Sequence, residues 1–160
     1  MKNIKIILLL LLLIVSTVFA KKIIKEDVDL NIMSQKAQKE NKHLLLYFKN
    51  NECPSCRKLE KFIFLNRDVR KQIAKHFITV KINIYDQEGI IYKDFFDSKL
   101  QFSKYLNISF YPTILFMDEN NDLVYTSKGY KMKSKFKKIL QYVNSKSYLD
   151  VDFITYQTKK

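Results

Sequence analysis

Leu44-Leu45-Leu46-Tyr47-Phe48, a short loop, and then Cys53-Pro54-Ser55-Cys56-Arg57-Lys58-Leu59 decide how this chain is read. The first run is apolar and unbroken, the pattern of a strand covered on both faces. After the loop, Leu59, Phe62 and Ile63 recur at the spacing of one helix face. The cysteines therefore stand where a strand ends and a helix begins. Pro54 suits the first helical position, where its missing N–H breaks no intrahelical bond. A cysteine there meets unpaired backbone N–H groups and the positive pole of the helix dipole, and both favour thiolate over thiol. Cys56, one turn on, is placed to attack a mixed disulfide formed at Cys53.

Three chemistries use two cysteines at this spacing. A purely structural disulfide would close a very short loop and gain little, because loop-closure stabilisation grows with loop length. A zinc site needs about four ligands. The chain holds 2 Cys and 2 His, His43 and His76, with no histidine pair at ligand spacing. The strand–CxxC–helix context favours thiol–disulfide exchange. His43 reads as a strand-entry residue and His76 as a helix-end residue, where a cation is favoured by the dipole.

Working outward, the 160 residues suit one domain. Residues 1–20 have the pattern of a secretion signal. Lys2 and Lys5 supply the charged start, Ile6 to Val15 the aliphatic stretch, and Val18-Phe19-Ala20 the cleavage site. That stretch is short against the roughly 20 residues of a membrane span. The expected organisation is a signal at 1–20, a domain at 21–146 and a tail at 147–160. A periplasmic or otherwise exported location follows, with cleavage near Ala20. The net charge of +13 would fall to +11, since Lys2 and Lys5 go and no acid does. The lysines are spread over nearly every element, densest from Lys131 to Lys138, and no nucleic-acid-binding motif accompanies them. A solvated basic surface is expected rather than a nucleic-acid partner.

The periodicities predict a helix over 26–41, with Leu30, Met33 and Ala37 inward, and a strand at 43–49. The CxxC helix follows and is interrupted at Asn66, a plausible cap for a helix carrying Val69 and Ile73. A β-branched strand is predicted at 77–84, parallel to the first, then a loop at 85–98 and a helix at 99–106. Strands at 113–117 and 123–126 are joined by a turn-rich connection. The last helix carries Phe136, Ile139, Leu140 and Val143 at i, i+3, i+4 and i+7. The tail from Ser147 reads as an added strand or a disordered end.

Taken together, this element order resembles the thioredoxin superfamily, nearest to the secreted SoxW-like thioredoxins related to periplasmic disulfide-reductase domains. The resemblance spans about residues 34–143. It rests on Glu40-Asn41-Lys42, Cys53-Pro54-Ser55-Cys56, Lys81-Ile82-Asn83-Ile84, Tyr111-Pro112-Thr113 and Gly129-Tyr130. It implies an α/β thioredoxin-like fold, with a central mixed sheet of about four to five strands flanked by helices. It also implies that Pro112 is cis and lies against the CxxC, and that Tyr111 and Pro112 shape the site for an extended substrate. One departure stands out: where many relatives carry a buried acid in the strand before CxxC, this chain has Tyr47, which leaves the role of Lys81 open. Water or Glu52 is the expected outlet for the Cys56 proton.

The activity so implied is a monomeric thiol–disulfide oxidoreductase that needs no cofactor beyond its cysteine pair. Its expected partners are a disulfide-containing protein substrate and an upstream electron donor such as a membrane thiol–disulfide transporter. Pro54 and Ser55 put no charge between the sulfurs, which favours a reductase with a potential of about −190 to −270 mV. Arg57 and Lys58 push the other way. The rivals are a disulfide oxidase, a cytochrome c thioreductase, and a non-catalytic binding module of the same fold.

Overall fold

The computed structural model describes residues 27–158, so the expected signal at 1–20 lies outside the described residues. The elements run β1 (Val28–Asp29), α1 (Leu30–Lys39), β2 (His43–Lys49), α2 (Pro54–Leu59) with a π-helical continuation (Glu60–Phe64), and α3 (Arg67–His76). There follow β3 (Phe77–Asn83), β4 (Gly89–Tyr92), β5 (Phe95–Ser98), α4 (Lys99–Tyr105), β6 (Thr113–Met117), β7 (Leu123–Lys128), α5 (Lys133–Asn144), a 3-10 turn (Ser147–Leu149) and α6 (Phe153–Thr158). The main sheet has four strands in the order β3-β2-β6-β7. β3 is parallel to β2, as the strand–helix–strand pattern requires, while β6 and β7 are antiparallel neighbours. This is the expected thioredoxin-like α/β architecture.

Alternation along β2 divides the core. Leu45 and Tyr47 face the CxxC helix together with Ile63, Phe116, Phe136 and Leu140. Leu44, Leu46 and Phe48 face the opposite side with Leu30, Ile82 and Phe102. A strand with both faces covered must be apolar throughout, which is why 44–48 carries no polar alternation.

Three expectations are corrected. Residues 85–98 are not a plain loop: β4 and β5 pair as a hairpin, and β1 adds parallel to β4, making a second sheet of three strands. Short strands of mixed polarity such as Phe95-Phe96-Asp97-Ser98 carry little alternation, so the pairing is a tertiary effect. Over the described residues 147–158 the tail is neither strand nor disordered: it forms the 3-10 turn and α6. The α6 residues Phe153 and Tyr156 pack on Tyr142 of α5 with ring centroids 5.3 and 5.1 Å apart. The helix expected over 26–41 is shorter, because Asp29 caps it by accepting from the N–H groups of Asn31 and Ile32.

A fourth difference lies next to the cysteines. Leu59 and Ile63 are buried as expected, but Phe62 is 55% exposed. From Glu60 the helix continues in π form, with the Leu65 N–H bonded to the Glu60 carbonyl, and the extra residue per turn shifts the buried face. Phe64 takes the inward place, edge-on to Tyr47 at 5.1 Å and to Phe136 at 5.8 Å.

Candidate active site: the Cys53–Cys56 pair

Cys53 is the N-cap of α2, with extended backbone angles (φ −87°, ψ 99°), and Pro54 occupies the first helical turn. The Cys53 carbonyl accepts the Cys56 and Arg57 N–H groups, starting the helix. Its sulfur accepts the Cys56 N–H at 3.0 Å, the place a capping side chain takes. Cys53 and Cys56 are joined by a disulfide with an S–S distance of 2.07 Å. Cys53 is 7% exposed and Cys56 1%, so the first sulfur is the nearer to solvent. Pro54 is exposed and Ser55 half-buried, and they form the outer surface of the turn.

Strand register brings the proline loop to the same end of the sheet. Phe48, near the end of β2, is paired with Thr113, the first residue of β6, so the loops after Lys49 and before Thr113 are neighbours. The Tyr111–Pro112 peptide is cis. Thr113 Oγ1 donates to the Phe110 carbonyl at 2.7 Å, and the Gly129 N–H donates to the Pro112 carbonyl at 2.7 Å. Gly129 has φ +77°, and a side chain there would also crowd the Phe110 ring. Tyr111 packs against both halves of the core, and its hydroxyl lies 3.4 Å from Ser103 Oγ.

Polar groups line the inner wall of the site. Tyr47 Oη donates to the Cys56 carbonyl at 3.4 Å. Burial, with the charge and hydrogen-bonding of Glu60, pushes the Tyr47 phenol well above its ordinary value. Lys49 Nζ binds Glu60 Oε1 at 2.8 Å. Glu52, the acid expected to serve Cys56, is exposed in the turn. Lys81, the register partner of Tyr47, is exposed and lines a groove with Phe64, Ile73 and Thr79. The acid on this wall, bound by Lys49 and felt by Tyr47, is Glu60. Its signal in the sequence was the four-residue spacing from Cys56, which puts both on one helix face. Among the described residues no cluster of three or more His, Cys, Asp or Glu could hold a metal ion, and no helix is long and apolar enough to cross a membrane.

The profile of the thioredoxin-like domain family matches residues 30–144, which span β2, the CxxC turn, the cis-proline loop and α5. The chain belongs to the thioredoxin-like domain family. Solved structures agree with this at the level of the fold. A thioredoxin-fold protein from Helicobacter pylori is 19% identical over 78% of this chain and 94% of its own, with a TM-score of 0.65. A thioredoxin from Thermus thermophilus is 16% identical over 74% and 85%, with a TM-score of 0.58. The C-terminal domain of DsbD from Neisseria meningitidis, in its reduced form, is 16% identical over 72% and 93%, with a TM-score of 0.53. No curated protein matches by sequence. In this thioredoxin-like domain the close CxxC disulfide at a helix N-terminus supports thiol–disulfide oxidoreductase activity.

Proposed function

We propose that this protein is an exported thiol–disulfide oxidoreductase of the SoxW-like kind, acting as a monomeric reductase of protein disulfides. The observation that carries the reading is the capping role of Cys53: its sulfur sits on the Cys56 N–H at the start of the helix. In the reduced protein that N–H would bond a thiolate, and a charge-assisted bond is roughly twice as strong as a neutral one. The Cys53 thiolate attacks one sulfur of a substrate disulfide and expels the other as a thiolate. Cys56, losing its proton, then attacks Cys53 Sγ. The mixed disulfide breaks, the second substrate thiolate leaves, and the Cys53–Cys56 bond forms. Two electrons pass from the dithiol to the substrate, and an upstream dithiol donor of the membrane-transporter type restores the pair. The reaction requires no cofactor.

Tyr111 and Pro112, at the sheet end shared with the cysteines, serve as the wall against which an extended substrate lies. Export rests on residues 1–20, and cleavage after Ala20 is read by the intact mass of the secreted protein. A mass that retains residues 1–20 would mean an anchored protein. Arg57 and Lys58 favour thiolate at the cysteines and give the oxidase direction its one argument. Insulin reduction driven by dithiothreitol tests the activity, and equilibration with glutathione tests the direction. A midpoint of about −190 to −270 mV fits the reductase, and one near −120 mV the oxidase. Failure to turn over insulin, with the disulfide retained, would make the domain a binding module.

A further inference from the structure

β3 is an edge strand of the main sheet. β2 lies along one side of it, and among the described residues no strand pairs with the other. An open edge is a template for a further strand, and soluble proteins usually blunt it. Here a groove of about 440 Å³ runs beside the edge, on the face that Tyr47 shares with the CxxC helix. Phe64, Ile73 and Phe77 give it an apolar lining, and Thr79 and Lys81 form its strand wall. It runs on into a second hollow of about 380 Å³ through Leu65, Arg70 and Ala74, which line both. Leu65, just past the π-form turn, is 67% exposed. An exposed leucine over an apolar groove marks a surface that a partner covers.

Charge selects the partner. Arg67, Arg70, Lys71 and Lys81 line the two hollows, and among the described residues none has a carboxylate within ion-pair distance. The acids on the neighbouring turns, Glu60 and Asp68, meet Lys49 and Lys137 instead. A second copy of this chain, with its net charge of +13, would be repelled. So would residues 21–26, Lys-Lys-Ile-Ile-Lys-Glu, which carry three lysines and one acid. An anionic membrane has the right charge, but it offers no strand to an edge and no side chain to a groove.

We propose that the open edge of β3 and its groove dock an extended acidic segment of another protein. The segment pairs with β3 through its backbone, as a fifth strand of the main sheet. Side chains two residues apart share a face of a strand. One apolar side chain therefore enters between β3 and α3, and acids two residues before and after it meet the arginines and lysines of the rim. The sequence recognised has the form acid-x-apolar-x-acid. This docking needs no cysteine in the partner and is independent of the exchange reading.

The probe is a fluorescein-labelled peptide, Thr-Glu-Thr-Leu-Thr-Glu-Thr, titrated with the oxidised protein and followed by anisotropy. Binding should weaken as salt rises from about 0.01 M to about 0.15 M. A peptide of the same composition with each Glu directly beside the Leu puts its acids on the opposite strand face and should bind about tenfold more weakly. Arg70→Glu combined with Lys81→Glu should also cost about tenfold or more. Lys39→Glu with Lys104→Glu makes the same change in net charge on α1 and α4, and should cost less than about twofold. Amide shifts in the NMR spectrum should centre on Phe77–Asn83 and α3. Failure of the first peptide to bind would overturn the proposal, as would equal binding of the rearranged one. An equal loss in the two double variants would reduce the effect to net charge. Shifts centred on Tyr111–Thr113 would move the peptide to the cysteine site. A dimer of the protein alone that Leu65→Glu breaks would give the groove to a second copy. Each of these outcomes leaves the exchange reading standing and removes the docking site.

Discussion

The two faces of the central sheet both hold a lysine–carboxylate pair, and the two pairs are built for different ends. On the CxxC face Lys49 and Glu60 meet at 2.8 Å with about a quarter to a third of each side chain in solvent. On the opposite side of the molecule Lys99 is 4% exposed, bound to Glu88 at 2.8 Å and to Asp86 at 3.0 Å, with Glu88 5% exposed. A partly exposed pair is worth little as stability, and this one holds its charges beside the CxxC helix. A buried pair is strongly destabilising when one partner is removed, and it fixes geometry. Here it fixes the start of α4 against the segment leading into β4, beside the Phe102 ring that packs on Phe48, Tyr92 and Phe95. One face is scaffold, and the other keeps polar groups next to sulfur.

The sharpest test of that division is at the cysteines. Cys53→Ser should lower insulin reduction on the order of 10³-fold or more, because it removes the attacking sulfur. Cys56→Ser should accumulate a stable mixed disulfide at Cys53, visible on non-reducing gels. Trapping by Cys53→Ser instead would reverse the roles. Next in size, Lys99→Met removes the buried ammonium that binds both Asp86 and Glu88 and should cost about 3–5 kcal/mol in denaturant unfolding. The potential of whatever protein remains folded should not change. A shift in the potential would show that the two faces are not independent. Smaller still is Ser55→His, which puts a cation between the sulfurs and should raise the midpoint by about 30–60 mV, with each 30 mV worth a factor of ten in the equilibrium. No shift would mean that the helix N-terminus alone sets the thiolate's stability.

The legible parts of the molecule were those written locally. The apolar run 44–48, Pro54 at the first helical position and the spacing of Phe136, Ile139, Leu140 and Val143 each specify an element within a few residues, and each lies where expected. The CxxC pair and the Tyr111–Pro112 loop came from motif and resemblance, and strand register then placed both loops at one end of the sheet. What was not legible depends on distant partners. The β4–β5 hairpin takes its definition from β1 and from Asp27, whose carboxylate accepts the Gly89 N–H at 2.7 Å from 62 residues away. The tail is helical because Phe153 and Tyr156 find Tyr142 and Tyr125. The π-form turn, which exposes Phe62 and turns Phe64 inward, has no local signal in Glu60-Lys61-Phe62-Ile63-Phe64.

The smallest expected effect probes how the scaffold depends on pH. His43, at the start of β2, is buried, and its Nε2 lies 3.1 Å from Tyr148 Oη in the turn that leads to α6. Burial lowers its pKa, and the nearby Glu119 offsets only part of that. The unfolded chain therefore binds a proton on this residue at a higher pH than the folded protein does. Stability from this residue is full above the ordinary histidine value of about 6.5 and declines as pH falls below it, until the folded form also protonates. His76 is shifted in the same direction, chiefly by burial, with Lys75 and Lys42 adding to it. The thermal midpoint of the oxidised protein should therefore fall between about pH 7.5 and about pH 5, and His43→Gln should reduce that fall while His76 keeps the remainder. The insulin-reduction rate of His43→Gln should match the parent at pH 7.5, because His43 lies at the opposite end of β2 from the cysteines. A midpoint that rises on acidification would mean that the folded protein binds the imidazole proton more tightly than the unfolded chain, with Tyr148 as its acceptor. An unchanged slope in His43→Gln would mean that His43 titrates alike in both states.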